Sequence, residues 1–216
     1  MIHPHTELRL INDTVGYGVF ATKFIPQGTI VYVKDSMEIE ISPTQYLLYQ
    51  PNMQAAIEKY SYIDERGYRI ISWDFGKYVN HCCNCNSIST GYGFEVAIRD
   101  IQAGEQITDE YGIFNLQEEM TLQCGFESCR KKIKPSDFDE YYQEWDEKIK
   151  LALPKLHDLE QPLLAFLDAE TIQKLDAYFL DPASYRSVYN LRFKSQGIKP
   201  VSKRIRPFNF LLLCLA

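Results

Sequence analysis

The stretch YVNHCCNCN at residues 78–86 does most to decide how this 216-residue chain folds. It places three cysteines, Cys82, Cys83 and Cys85, directly after an Asn-His pair. The N-terminal sequence MIHPHTELRL does not read as a signal peptide, and clustered cysteines without a secretory signal favour metal binding or functional thiols over disulfides. An isolated Asn-His pair is most often part of a turn, so the meaning of this stretch depends on the rest of the chain.

Two further segments contain turn motifs that could form a site together with residues 78–86. The first, GYGVFATKFIPQGTIV at residues 16–31, places a Gly-x-Gly turn between two apolar runs, which leaves backbone free to approach a ligand closely. The second, IQAGEQITDEYG at residues 101–112, leads from a Gly-Glu turn to Tyr111. Either segment alone is weak evidence for a site.

Taken together, the three segments resemble, in order and in spacing, the signature elements of the SET-domain protein-lysine methyltransferase family. Residues 78–86 are similar to the family's aromatic-Ile/Val-Asn-His-Ser-Cys-x-Pro-Asn element, with Cys82 in place of the usual Ser and Cys85 in place of the usual Pro. The resemblance covers about residues 7–134. It implies an α+β fold, mostly β, of short sheets around a pseudoknot, followed by a helical C-terminal region. In that pseudoknot the segment near Tyr111 threads past the Asn80-His81 segment.

The resemblance and the local patterns predict four parts of the chain. These are a SET domain at 1–112 with a variable insert at about 40–70, a post-SET-like segment at 113–134, a helical region at 135–195, and a basic, then apolar tail at 196–216. Within the insert, residues 43–60 have a helical spacing that Pro51 must interrupt. In the helical region, Asp137, Asp139 and Glu140 mark one helix start and Asp168 caps another.

The family resemblance also implies an activity, the transfer of a methyl group from S-adenosylmethionine to a protein lysine. Tyr111 stands at the position of the family's catalytic tyrosine. The implied cofactor contacts come from two segments: Gly16, Tyr17, Gly18, Asn80 and His81. Two residues before the tyrosine the family often has Phe or Tyr, which influences how many methyl groups are added. Here the residue is Asp109, so the degree of methylation stays open.

A partial metal motif follows the tyrosine. LQCGFESCRKKI at residues 122–133 is similar to the family's post-SET element Cys-x-Cys-Gly-x-x-x-Cys-Arg, with Leu122 in place of the first cysteine. The resemblance therefore implies one zinc held by Cys83, Cys124 and Cys129. Because structural zinc sites are nearly always closed by four ligands, Cys82 or Cys85 is expected to complete the set. The alternative is a group of free, buried thiols.

The composition of the chain indicates which kinds of molecule this protein binds. The net charge of -6 argues against direct binding of nucleic acid and suits a basic, lysine-containing protein segment, with histones or histone-like proteins first. No run of about 20 apolar residues predicts a membrane span. We expect a cytoplasmic protein, although residues 199–206 also resemble a nuclear address. The oligomeric state is left open.

Two other functions fit part of the sequence. One is a SET-fold binding module that holds the cofactor or a lysine-bearing tail without turnover; the presence of Asn80, His81 and Tyr111 together favours an enzyme instead. The other is a small zinc or thiol-redox protein built on the cysteine cluster. That interpretation leaves the glycine and tyrosine elements unexplained.

Overall fold

The computed structural model of the chain describes residues 1–194 and 213–214. Its strands are β1 (Thr6–Asn12), β2 (Gly16–Ala21), β3 (Ile30–Val33), β4 (Ile39–Ile41), β5 (Tyr62–Ile63), β6 (Arg69–Ile71), β7 (Asn80–His81), β8 (Ser87–Ser89), β9 (Phe94–Ala97), β10 (Thr108–Asp109), β11 (Met120–Thr121), β12 (Gln123–Cys124), β13 (Lys132–Ile133) and β14 (Leu213–Cys214). Its α-helices are α1 (Pro43–Leu48), α2 (Pro51–Tyr60), α3 (Asp137–Ala152) and α4 (Ala169–Leu180). Short 3-10 helices include Phe75–Tyr78, Tyr111–Ile113 and Val188–Leu191. The predicted α+β class is confirmed.

The strands form small separate sheets in place of one large one. β1 pairs with β2, β3-β9-β8 form a three-stranded antiparallel sheet, and β4-β6-β5 form another. The β3-β9-β8 sheet supplies much of the core, because its apolar residues, such as Ile30, Ile88 and Val96, are fully buried. Such short strands are stable only through packing against other elements.

The insert follows its local sequence signals. Ser42 caps α1 in a reciprocal capping box with Gln45. The chain then leaves the helix, and Pro51 opens α2, where its missing N–H and its fixed φ are tolerated. The prediction of helix through residues 43–60 with an interruption at Pro51 is confirmed.

A parallel strand pair distinguishes this topology from a set of hairpins. β7 and β10 pair in parallel, with Asn80 opposite Thr108 and His81 opposite Asp109. Parallel neighbours need a long crossover, and here the intervening chain builds β8 and β9 before it returns. The segment that leads into Tyr111 is thereby placed beside the Asn80-His81 segment.

The C-terminal helices share a core with the β3-β9-β8 sheet. Phe138, Trp145 and Ile149 of α3 belong to one buried cluster with Phe94 and Ile113. The α3 start at Asp137 and the Asp168 cap of α4, which accepts from the Thr171 N–H, confirm two sequence predictions. The helical region therefore stabilises the sheet directly.

Asp146 of α3 holds residues 185–188, near the end of the helical region, against this helix. Its buried carboxylate accepts hydrogen bonds from the Tyr185 hydroxyl (2.8 Å), the Ser187 hydroxyl (2.6 Å) and the Val188 N–H (2.8 Å). Gly91 lets the same segment approach the sheet, because a Cβ there would lie 2.4 Å from the Arg186 carbonyl oxygen. Buried acids of this kind are stable only when hydrogen-bonded.

Most of the predicted tail cannot be compared with the structure. The basic stretch 199–206 lies outside the described residues, and so does most of the apolar stretch 208–216. The part that is described, β14, pairs in parallel with β12. Within residues 1–194 and 213–214, no helix is both long and apolar enough to span a bilayer.

Candidate active site

The β7-β10 pair brings two of the three sequence elements together. The Tyr111 N–H donates to His81 Nδ1 (3.2 Å), and the two rings lie 5.5 Å apart between centroids. The Tyr111 hydroxyl donates to the carbonyl of Val79 (2.6 Å). Both ends of the Tyr111 residue are therefore fixed by the segment that contains Asn80 and His81.

A short 3-10 helix holds Tyr111 in place. Glu110 precedes it, and the Glu110 carboxylate accepts the Gly112 N–H (2.8 Å), which caps the helix. The next turn is tightly packed, since a Cβ on Gly112 would lie 2.9 Å from the Trp145 ring. Helix α3 thus supports the tyrosine from behind.

His81 is a neutral, structural part of this arrangement. Only 1% of the residue is exposed, and burial, with the nearby Arg130 cation as a smaller cause, lowers its pKa to about 3. Besides the Tyr111 N–H, the Asp109 carbonyl lies 3.0 Å from its Nδ1. Because a histidine with so low a pKa is a very weak base, we assign it the positioning of Tyr111.

The third element, the glycine turn, meets Asn80. Asn80 Nδ2 donates to the carbonyl of Tyr17 (3.0 Å). A Cβ on Gly18 would lie 2.7 Å from Gln106 Nε2 and 3.2 Å from Asn80 Nδ2, so a larger residue here would push these two side chains aside. Gly16 turns the chain with a φ of +82° and borders open space. All six predicted catalytic and cofactor-contacting residues therefore lie in one connected region.

Comparison with known proteins identifies this region. Residues 16–112 match the family model described as SET domain. The part of the chain that carries the candidate site is therefore similar to a SET domain. Among solved structures, that of a proposed histone methyltransferase from Plasmodium falciparum is 18% identical and covers 51% of this chain and 95% of its own, with a TM-score of 0.37. No curated protein matches the chain.

An ion pair that the sequence did not predict ties the following segment to the SET domain. Arg130 Nη2 donates to both carboxylate oxygens of Glu110 (2.6 and 2.7 Å), and Arg130 Nη1 donates to Asp137 (3.2 Å). Charge-assisted bonds of this kind are strong when partly buried. Since Glu110 also caps the Tyr111 helix, Arg130 connects the post-SET-like segment to the tyrosine. The Cys-Arg pair of the motif was the only signal for it.

Three cysteines gather beside this ion pair. The sulfur atoms of Cys83, Cys124 and Cys129 all lie within 4.8 Å of one another, and the Cys83 and Cys129 sulfurs are 3.8 Å apart. Two thiolates on one tetrahedral zinc, each at about 2.3 Å from the metal, are separated by about 3.8 Å. The backbone N–H groups of Arg130 and Lys131 donate to Cys83 and Cys129. This cluster therefore fits three of the four ligands of a structural zinc.

One of the two predicted fourth ligands lies near this cluster, since Cys82 packs with Cys83, Cys124 and Cys129 in one buried group. Neither Cys82 nor Cys85 belongs to the group of sulfurs within 4.8 Å. Cys85 is buried near the carboxyl groups of Glu110 and Asp109, and this burial raises the pKa of its thiol well above the usual value. Leu122, at the position of the missing cysteine, is itself buried. The identity of the fourth ligand stays a prediction.

We expect the purified protein to contain one zinc per chain, because three converging sulfurs bind this ion strongly and their preorganisation offsets the missing motif cysteine. Elemental analysis measures the metal. Cys129→Ser should lower the zinc content to less than half, whereas Cys85→Ser should leave it unchanged. An active, folded protein that contains no zinc would remove this prediction and leave the rest of the site intact.

A pair of buried carboxyl groups lies behind the tyrosine. The ionisation of Glu95 and that of Asp109 affect each other, and Glu95 Oε2 and Asp109 Oδ2 have no hydrogen-bond partner among the described residues. Burial raises the pKa of Asp109 to about 7, and burial followed by the charge of Asp109 raises the pKa of Glu95 well above its usual range. Because burial and neighbouring acidic charges both disfavour ionisation, these two carboxyl groups hold their protons more strongly than exposed carboxyl groups do.

This pair predicts a distinctive pH dependence of stability. The folded-state pKa of Asp109 lies above its ordinary value of 3.8, so its contribution to stability is present below pH 3.8 and is lost as pH rises toward about 7. Asp109→Asn keeps the shape and removes the titration. Between pH 5 and pH 8 the free energy of unfolding of the variant should therefore gain more than about 1 kcal/mol relative to the unmodified protein.

Urea unfolding at a series of pH values measures this difference. Leu151→Ala, which changes an exposed residue with no titratable group, is the control and should show a constant difference across the range. Parallel pH curves for Asp109→Asn and the unmodified chain would mean that Asp109 is ionised in the folded state like an ordinary surface acid.

Proposed function

We propose that this protein transfers a methyl group from S-adenosylmethionine to a lysine side chain in a basic segment of a protein, with histones or histone-like proteins as the first candidates. The observation that carries the proposal is the convergence of Tyr111, the Asn80-His81 pair and the Gly16–Gly18 turn within a SET domain. The net charge of -6 supports a basic substrate.

The glycine turn and Asn80 fit a compact polar cofactor. Backbone without side chains lies open at Gly16, and Tyr17, 47% exposed, presents an aromatic face next to it. Gln106 Nε2, beside Gly18, is a buried donor that has no acceptor among the described residues. Such an orphaned donor next to an open backbone turn supports ligand binding. Gly16, Tyr17, Gly18, Asn80 and, largely through its backbone, His81 would hold S-adenosylmethionine.

When bound, S-adenosylmethionine supplies a methyl group on a sulfonium, which is already an activated leaving group. The protein then has to align a neutral amine. The Tyr111 hydroxyl gives its hydrogen to the Val79 carbonyl, which leaves its oxygen lone pairs to accept a hydrogen bond from the incoming amine. Because the Tyr111 ring is packed against His81 and Phe114, this oxygen has a fixed position.

Aromatic surroundings help to keep the amine neutral. Loss of the lysine proton at pH 7.4 costs about 4 kcal/mol. Phe114 packs against Tyr111 at 5.4 Å and stacks on Tyr62 at 5.1 Å between ring centroids, so apolar surface adjoins the Tyr111 ring. Burial against such surface disfavours the ammonium and lowers this cost.

Cofactor binding is expected to raise the melting temperature. S-adenosylmethionine and its demethylated product both bind the folded state, and at about 100 times the dissociation constant they stabilise it by about 2.7 kcal/mol, or about 5 to 10 °C. Differential scanning fluorimetry measures the shift, and NAD serves as the control that should give none. No shift at millimolar cofactor would speak strongly against the proposed function.

Transfer itself is tested with a tritiated methyl donor and histones as acceptors. The proposal expects label on protein, lost when the cofactor's demethylated product is added in excess. Cofactor binding without label on histones or on any protein of a cell lysate would favour a binding module.

A further inference from the structure

The C-terminal strand β14 joins the fold at the cysteine cluster. It pairs in parallel with β12, and the register sets Gln123 opposite Leu213 and Cys124 opposite Cys214. Cys124 is one of the three cysteines whose sulfur atoms lie within 4.8 Å of one another. The strand pairing therefore places Cys214, which is distant in the sequence, directly beside a member of this cluster.

A structural zinc site at the cluster needs one more ligand. Structural zinc ions are held by four protein ligands in a tetrahedron, and a thiolate ligand lies about 2.3 Å from the metal. The post-SET-like segment supplies only two cysteines, because a buried leucine, Leu122, stands where the motif has its first one. The fourth ligand therefore has to come from another part of the chain.

The side chains next to the cluster fit this position less well. Among the residues whose side chains are described, neither Cys82 nor Cys85 joins the three sulfurs within 4.8 Å. His81 Nε2 lies 3.5 Å from the Cys83 sulfur, but His81 Nδ1 accepts the Tyr111 N–H, so the hydrogen of this neutral ring is on Nε2. A ring nitrogen that carries a hydrogen cannot bind a metal, and it donates to the sulfur instead.

The register of β12 and β14 gives Cys214 a suitable position. Neighbouring strands lie about 4.8 Å apart, and residues opposite each other occupy the same face of a sheet. Two thiolates on one tetrahedral zinc have sulfur atoms about 3.8 Å apart, which the rotamers of two such cysteines can reach. The backbone thus spaces Cys124 and Cys214 as two ligands of one ion.

The surroundings of the cluster favour charged sulfur atoms. Four thiolates on one zinc ion carry excess negative charge, which needs donors or cations nearby. The backbone N–H groups of Arg130 and Lys131 donate to the sulfurs of Cys83 (3.4 Å) and Cys129 (3.3 Å). The Arg130 guanidinium also interacts with the Cys83 sulfur. These groups stabilise thiolates, so the cluster suits a fourth one.

We propose that Cys214 is the fourth ligand of a zinc ion held with Cys83, Cys124 and Cys129, in place of the cysteine that the post-SET-like segment lacks. The ion then connects three separate parts of the chain: the segment after β7, the post-SET-like segment and the C-terminal strand. Such a cross-link over a long loop stabilises the pairing of β14 with β12, since a strand of two residues is not stable alone.

Cobalt substitution counts the thiolate ligands. Co²⁺ takes the place of zinc in tetrahedral sites, and each thiolate adds to its charge-transfer absorption in the near ultraviolet. In the full chain loaded with Co²⁺, Cys214→Ala should lower this absorption by about one quarter, as one of four thiolates is lost. The same variant should bind zinc at least about 30-fold more weakly in competition with a chelator. Cys82→Ala is the matched control and should change neither property.

Alkylation of the unmodified chain gives a second measurement, which needs no variant at Cys214. Iodoacetamide reacts with free thiolates and not with those bound to zinc. Mass spectrometry should therefore find Cys214 modified at least about tenfold more slowly with zinc than after EDTA has removed the metal. Cys129→Ser, which breaks the cluster, should abolish this protection.

The results that would overturn the assignment are distinct. Loss of a thiolate in Cys82→Ala and none in Cys214→Ala would make Cys82 the ligand, and equal alkylation of Cys214 with and without zinc would mean that its thiol is free. A chain that takes up neither zinc nor Co²⁺ would overturn the assignment together with the zinc prediction. Neither measurement involves methyl transfer, so a four-thiolate site in a protein that labels no substrate would contradict the proposed function alone.

Discussion

Replacement of Tyr111 by phenylalanine is expected to lower methyl transfer by at least about 100-fold while S-adenosylmethionine affinity stays within a few fold. The variant keeps the ring contacts with His81 and Phe114 and loses only the hydroxyl that bonds to the Val79 carbonyl. Misalignment of the amine by a fraction of an ångström lowers the rate strongly, whereas the cofactor contacts lie elsewhere in the site. Isothermal titration and tritium transfer measure the two properties separately.

Asn80→Ala is the matched comparison in the same site. It deletes the amide that holds the Tyr17 carbonyl, so the cofactor affinity itself should fall by about 1 to 3 kcal/mol and activity should fall with it. Only methyl transfer should fall strongly in Tyr111→Phe, whereas cofactor affinity and methyl transfer should fall together in Asn80→Ala. Full activity in Tyr111→Phe would exclude a catalytic tyrosine, and equal loss of cofactor binding in both variants would make it structural.

Trp145→Ala is expected to destabilise the protein by about 3 to 5 kcal/mol. The indole is 2% exposed, packs edge-on against Phe138 and lies directly under Gly112, next to the tyrosine. Its removal leaves a cavity in the core that the sheet and the C-terminal helices share. Urea unfolding measures the loss.

Leu151→Ala, on the same helix with 69% of the residue exposed, is the control and should cost less than about 1 kcal/mol. A similar small loss for Trp145→Ala would mean that α3 is not part of the core that supports Tyr111.

Local signals explain which parts of the fold were predictable. The Ser42 cap, the break at Pro51 and the Asp168 cap each depend on residues within four positions, and all three are present. The meeting of Asn80-His81 with Tyr111 is a long-range pairing that propensity does not encode. It was expected only because three motifs occur in the order of one family.

The sequence did not predict which acidic residues would be buried in the fold. Asp146 sits in the run DEKIK and reads as a surface acid, yet it accepts three hydrogen bonds from residues 185–188. Glu95 occupies a strand in which alternation would place it in solvent, and Asp109 replaces an aromatic residue of the family pattern. Whether an acid is buried depends on which distant segments cover it, and one sequence does not contain that information.

The central claim is tested most directly by mass spectrometry of protein lysines. The protein is first incubated with S-adenosylmethionine and a cell lysate whose proteins carry few methylated lysines. We predict that methyl groups appear on lysines in basic segments of one or a few proteins, with the unmodified chain and not with Tyr111→Phe. A protein that binds S-adenosylmethionine tightly yet adds no methyl group to any lysine would contradict the assignment as a lysine methyltransferase.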